Sequence, residues 1–153
     1  MNNRIIYIAT SLVLIATALT SCDKTPMNGV LDGMWQLEQV RVGTATAERR
    51  DSLVFVSFQL HLTQWDKKNT SQRYYAHFEH TGDSIRFYDF AAAAKHDLSE
   101  GDNDTWLTPA QMSDGIMDEW GIHTTDARYR VIELNHQQLV LQAQDTTLTF
   151  RKF

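Results

Sequence analysis

Six histidines (His61, His77, His80, His96, His123 and His136), nineteen carboxylates and one cysteine, Cys22, are the side chains with which this 153-residue chain could do chemistry. No H-E-x-x-H, C-x-x-C, G-x-S-x-G, P-loop or G-x-G-x-x-G pattern occurs. The familiar zinc, thiol-redox, serine-hydrolase, phosphate and dinucleotide sites therefore lack their signatures. His61 and His77 fall on the polar sides of two expected strands, with Glu79 beside His77. Zinc needs three or four such ligands about 2 Å from one point. Strand pairing permits that approach without requiring it, and ordinary surface histidines are the plainer reading. Asp102-Asn103-Asp104 starts like a calcium loop, but the fifth position is Trp106 and the twelfth is Ser113. An EF-hand is excluded for want of oxygen ligands and a closing Glu, while a looser calcium site stays open. Nothing among the carboxylates singles out an acid–base pair. No catalytic residue, metal or cofactor is assigned, and the chain is not expected to be an enzyme.

Cys22 has a setting of its own. Met1-Asn2-Asn3-Arg4 carries one positive charge, and an apolar run follows from Ile5 to Leu19. A comfortable bilayer span needs roughly 20 apolar residues, so this shorter run reads as a secretory signal, removed with residues 1–21. Leu19-Thr20-Ser21-Cys22 resembles the bacterial lipobox. That resemblance implies diacylglycerol on the Cys22 thiol, cleavage on its amino side and a further acyl chain, such as palmitate, on the freed amine. A plain signal peptide followed by an incidental cysteine is the alternative. Each buried methylene contributes about 0.8 kcal/mol, so two or three chains hold firmly where one holds marginally. The expectation is a membrane-tethered lipoprotein of the bacterial cell envelope, on the periplasmic face or the outer-membrane surface. Residues 22–32 would form the lipidated tether and residues 33–153 one folded domain.

Composition narrows the class of that domain. Hydrophobic residues make up 42% of the chain and charged ones 22%, which argues against disorder. One cysteine cannot form an internal disulfide. A net charge of −5 without a basic cluster longer than two residues disfavours nucleic acid as a partner.

The elements that must position any site read mainly as strands. A strand is expected from Trp35 to Val42, followed by a loop from Gly43 to Asp51. From Leu53 to Thr63, Val54, Val56, Phe58, Leu60 and Leu62 alternate with Phe55, Ser57, Gln59, His61 and Thr63, which predicts one long strand. A polar turn at Asp66–Asn69 leads to Gln72–His80, with Tyr74, Ala76 and Phe78 on one side. Thr81-Gly82-Asp83 predicts a hairpin turn into Ser84–Phe90. Arg128–Leu134, Gln138–Gln144 and Thr147–Phe153 complete seven strands, and Thr105–Thr108 offers an eighth. Short turns make sequential antiparallel pairing the default. Two sheets, or one sheet closed on itself, would bury the apolar faces.

One segment departs from this rhythm. Thr108-Pro109-Ala110-Gln111 has a capping residue, proline at the first helical position and glutamine three after the cap. Met112, Ile116 and Trp120 follow at spacing four, predicting a helix from Pro109 to Trp120 with one apolar face. Gly115 weakens it and Gly121 ends it. Between Asp97 and Glu119 there are seven acids and no Lys or Arg. Such a stretch is either a solvated surface or a patch facing a cationic partner.

Gly33-Met34-Trp35, ahead of the first strand, resembles the Gly-x-Trp signature of lipocalins. In that family the Trp plugs one end of an up-and-down barrel beneath a basic residue of the last strand. The resemblance places Gly33 and Trp35 in that role, with Arg151 or its neighbour Lys152 as the basic partner. With the lipobox, the chain is similar to lipocalin-like lipoproteins of Bacteroides-type bacteria over roughly Leu31 to Phe153. The implied fold is all-β, an antiparallel barrel of about seven or eight strands with one helical insertion before the C-terminal strands.

Two functions follow as expectations. Phe58, Tyr74, Phe78, Phe87 and Trp120 would line a cavity for a small, partly apolar ligand, with the Pro109–Trp120 segment over one mouth; the same aromatics could instead fill a dry core. The alternative is a cell-envelope interaction module using the acidic insertion 97–119 to hold a protein partner.

Overall fold

Ten strands form among the residues that the computed structural model describes, 26–94 and 104–153. They are β1 (Gly33–Val42), β2 (Ala45–Glu48), β3 (Val54–Gln59), β4 (Leu62–Lys67), β5 (Arg73–Thr81), β6 (Ser84–Ala92), β7 (Thr105–Trp106), β8 (Asp126–Leu134), β9 (Gln138–Ala143) and β10 (Thr146–Lys152). Eight of them run up and down in the order β1-β3-β4-β5-β6-β8-β9-β10, each antiparallel to the next. β10 then pairs with β1, from Trp35↔Lys152 to Val42↔Thr146, and closes the barrel. β2 and β7 lie off this ring, on β1 and β6 respectively.

Inward positions alternate with outward ones, as a half-buried strand requires. Val54, Val56 and Phe58 of β3 point in, as do Tyr74, Ala76 and Phe78 of β5 and Ile85 and Phe87 of β6. Trp65, Phe90, Leu139, Leu141, Leu148 and Phe150 complete the interior. Each such side chain contributes roughly 1.5–3 kcal/mol by leaving water.

The structure revises three sequence expectations. The alternating run Leu53–Thr63 is a hairpin, because the chain reverses at Leu60-His61 and Phe58 pairs with Thr63. Leu60 takes the positive φ of 56° that this turn demands, a conformation usually left to Gly or Asn. Asn28 Nδ2 donates to Leu60 O (2.9 Å) and holds the turn. Leu60 and Leu62 are therefore exposed, and His61 sits in the turn instead of on a strand. The expected loop 43–51 contains β2, which covers the half of β1 that β3 leaves unpaired. The expected helix Pro109–Trp120 is only α1 (Pro109–Ser113), with a separate 3-10 turn at Asp118–Trp120. The Thr108–Gln111 capping box forms as expected, but Gly115 adopts φ +85° and ends the helical path.

The strand registers define two barrel ends. One holds Gly33, Phe58, Leu62, Leu134 and Lys152; the other holds Val42, Lys67, Arg73, Ala143 and Thr146. A 3-10 turn at Gly29–Leu31 carries buried Leu31 at the first end. The Leu107–Ile122 segment covers the second.

Candidate functional site

The first end is sealed by a basic residue on an indole. The Lys152 ammonium lies 4.3 Å from the centroid of the Trp35 ring. It donates to the carbonyl of Val30 (2.9 Å) and to that of Asp32. The Trp35 indole N–H donates to Leu31 O (2.8 Å). Burial pulls the Lys152 pKa down, partly offset by the nearby Asp32 carboxylate. Arg151, the other basic residue the resemblance allowed here, points the other way because successive side chains on β10 face opposite sides. Its guanidinium donates to Gln36 Oε1 (2.7 Å) and Glu38 Oε1 (3.2 Å) on the outer surface. Gly33 has φ +108°, and a Cβ there would meet Lys152 Nζ at 3.3 Å. Glycine thus suits the left-handed backbone here, and a Cβ would crowd the lysine.

The aromatic residues expected in a cavity meet in the barrel interior. Phe58 makes an edge-to-face contact with Phe78 at 5.2 Å and a tilted one with Phe87 at 6.0 Å. Trp65 meets Phe87 edge-on at 5.1 Å, and Phe87 reaches Tyr129 at 6.1 Å. Tyr74 and Trp120 form a separate edge-to-face pair at 5.5 Å. Such pairs contribute about 0.5–1.5 kcal/mol beyond their burial. The lower and middle barrel is therefore a packed aromatic stack.

That end is a lid. Met112, Met117, Trp120 and Ile122 are all buried, so the short helix and the 3-10 turn press their apolar side chains onto the barrel mouth. Lys67 Nζ and Glu119 Oε1 pair at 2.7 Å, tying the lid to β4. Tyr129 donates its hydroxyl to Gly121 O (2.9 Å), tying it to β8. Burial pushes the Tyr129 phenol far above its usual value. The Tyr74 hydroxyl is also raised, by burial and by the Glu119 charge. Two adjacent lid residues nonetheless keep a buried polar atom without a hydrogen-bond partner, the Trp120 indole N–H and Glu119 Oε2. Buried donors and acceptors are nearly always paired, so the Trp120 indole N–H is a donor left open to a polar partner at this mouth.

A crevice of about 360 Å³ opens beside the lid. Gly121, His123 and Thr124 form its lid side, while Ala127, Tyr129, Ala143 and Thr146 form its barrel side. His123 Nδ1 lies 2.9 Å from Asp118 Oδ1, and Arg128 stands on the rim. The volume falls at the small end of the range for small-molecule sites.

The other expected groups are dispersed. Glu79 faces Arg86 (3.7 Å), and His77 Nδ1 lies 3.7 Å from Asp89 Oδ2. No three His, Cys, Asp or Glu among the described residues converge as metal ligands. Of the acidic stretch, Asp104 accepts from Ala94 N (2.9 Å), Asp118 meets His123 and Glu119 meets Lys67. Cys22 and residues 97–103 of that stretch lie outside the described residues. Among those described, no helix is long and apolar enough to cross a membrane. The Lys67–Glu119 tie was not legible beforehand, because it joins residues 52 positions apart, and the Tyr129–Gly121 bond was not, because it depends on how the lid folds back on β8.

A barrel of eight antiparallel strands, plugged by a Gly-x-Trp tryptophan beneath a C-terminal lysine, defines a lipocalin-like protein. The lipocalin-like domain family matches residues 17–153, and the chain belongs to that family. It is similar in structure to a lipocalin-like protein from Bacteroides uniformis, with 23% identity and a TM-score of 0.58 over 82% of this chain and 100% of that one. An uncharacterized protein from Bacteroides eggerthii aligns with 22% identity and a TM-score of 0.54, over 80% and 99% of the two chains. These two likenesses concern the fold. No curated protein matches the sequence.

Proposed function

We propose that this is a membrane-tethered lipocalin-like protein that takes a small, partly apolar ligand under its lid and performs no chemistry on it. The observation that carries the reading is the orphaned indole N–H of Trp120, wholly buried at the lidded mouth above Tyr74. Displacing Trp120 would open the crevice at Gly121 into the top of the aromatic stack, and the indole N–H would then donate to a polar atom of the ligand. An apolar body with one acceptor matches that setting. The internal engagement of Asp104, Asp118 and Glu119 weighs against an insertion that uses these acids to hold a protein partner. The tether would run through lipidated Cys22, placing the barrel on the cell envelope.

Two experiments test the two halves. Residues 23–153 titrated with the apolar fluorophore N-phenyl-1-naphthylamine should give saturable enhancement near one equivalent, and Trp120→Phe should weaken it severalfold while keeping the fold. Unsaturable enhancement, or equal affinity in the variant, defeats the ligand site. For the tether, the full chain expressed in a bacterium fed alkyne-palmitate should take up label that Cys22→Ser abolishes; equal labelling of that variant defeats the anchor.

A further inference from the structure

The outer wall of the barrel carries a second cleft, formed where β6 has one residue too many. His77 pairs with Tyr88 and Tyr75 pairs with Ala91, so Asp89 and Phe90 of β6 stand opposite Ala76 alone. Phe90 turns inward, and Asp89 absorbs the extra length at φ +54°. Bulges of this kind re-aim a side chain, and here the Asp89 carboxylate comes to within 3.7 Å of His77 Nδ1 on the outer face.

β7 then adds two residues beside the bulge, pairing Trp106 with Ala91. Ala91 is small, so the indole borders a hollow instead of a packed surface. Trp106 is 62% exposed, a large fraction for tryptophan on a strand with a neighbour. The resulting cleft has a volume of about 460 Å³. Its floor is Ala76 and Ala91, and its walls are Tyr75, His77 and Trp106. Asp89 and Asp104 supply two carboxylates, and no Lys or Arg lines it among the described residues. Asp104 is fixed by the hydrogen bond it accepts from Ala94 N. The guanidinium of Arg86, on the same strand as Asp89, is held by both oxygens of Asp126 (2.8 and 2.7 Å).

We propose that this cleft binds an organic cation, an ammonium group carried on a small apolar body. Aromatic faces attract cations through their quadrupole, and two carboxylates on an apolar hollow complement positive charge while repelling an anion. A neutral apolar ligand would strip water from the carboxylates without compensation. The site is separate from the lidded mouth and does not depend on it.

The test uses two probes of the same shape, choline and its uncharged isostere 3,3-dimethylbutan-1-ol, titrated into residues 23–153. The readout is the amide resonances of His77 and Ala91. Choline should shift both saturably, and the isostere should bind at least fivefold more weakly. Trp106→Ala and Asp89→Asn should each raise the choline dissociation constant about two- to fivefold. Asn tolerates positive φ, so the bulge survives that change, and Trp106 is exposed enough to be removed without a cavity. Trp120→Phe should leave choline affinity unchanged. Equal affinity for the isostere, wild-type affinity in both cleft variants, or shifts that never saturate would each overturn the proposal.

Discussion

The hydroxyl of Tyr129 donates to the carbonyl of Gly121 across 2.9 Å, joining the C-terminal end of the lid to the barrel wall. The phenol must stay protonated to make this bond, and its burial raises the pKa far above the ordinary value of 10.0. The folded state therefore holds this proton at pH values where the unfolded chain releases it. The stabilisation is complete below pH 10 and declines as pH rises toward the folded pKa. Tyr129→Phe should cost roughly 1–3 kcal/mol at neutral pH, by leaving a buried carbonyl without its donor. The variant should also show a shallower alkaline loss of stability, with Tyr74 retaining part of the slope. Urea unfolding at a series of pH values measures both; parallel alkaline limbs would assign the effect elsewhere.

Gly121 is fixed by space as well as by backbone. Its φ is +69°, and a Cβ would lie 2.6 Å from Leu148 Cδ2 and 3.2 Å from Val40 Cγ1. Gly121→Ala should therefore destabilise by about 1–3 kcal/mol through overpacking and the left-handed strain together. Faster amide exchange at Met117–Ile122 than at the strands would show that the lid yields first. Uniform acceleration across the barrel would not fit a lid that docks as its own unit.

At the sealed end, Lys152 and Arg151 separate cleanly. Lys152→Met leaves the carbonyls of Val30 and Asp32 without their donor and removes the cation over Trp35. A loss of about 2–3 kcal/mol follows from two part-buried acceptors and one cation–π contact. Arg151→Met breaks an exposed contact with Glu38 and a part-buried one with Gln36 Oε1, and should cost less, about 1 kcal/mol. Thermal unfolding of the two variants decides the matter, and the reverse order would return the role to Arg151.

The barrel was legible in the chain because period-two alternation survives through long stretches of the strands, from Tyr74-Ala76-Phe78 to Leu139-Leu141. Its finer features were hidden for identifiable reasons. The turn at Leu60 carries no Gly or Asn, so an apolar run passed for a continuous strand. β2 consists of Ala45-Thr46-Ala47-Glu48, too small and polar to announce a strand, and forms because β1 needs a partner beyond Gln36. Met112 and Trp120 sit on the lid as their spacing suggested, yet Gly115 divides the helix that was to carry them. Arg151 and Lys152 are adjacent and equally basic, so only the register of β10 on β1 tells which faces Trp35. The outer cleft had no signal, since its bulge depends on how β5 and β6 align.

The four tryptophans offer the most direct test of the ligand site, because each indole N–H reports a different place. Trp35 donates to Leu31 O at the sealed end, Trp65 donates to Thr63 Oγ1 (2.8 Å) inside the barrel, Trp106 is exposed on the outer wall and Trp120 is unpaired beneath the lid. In a two-dimensional NMR titration with N-phenyl-1-naphthylamine, the Trp120 indole resonance should move most and saturate near one equivalent, while Trp35 stays in place. A titration that leaves Trp120 unmoved, or shifts only Trp106, would contradict a binding site under the lid.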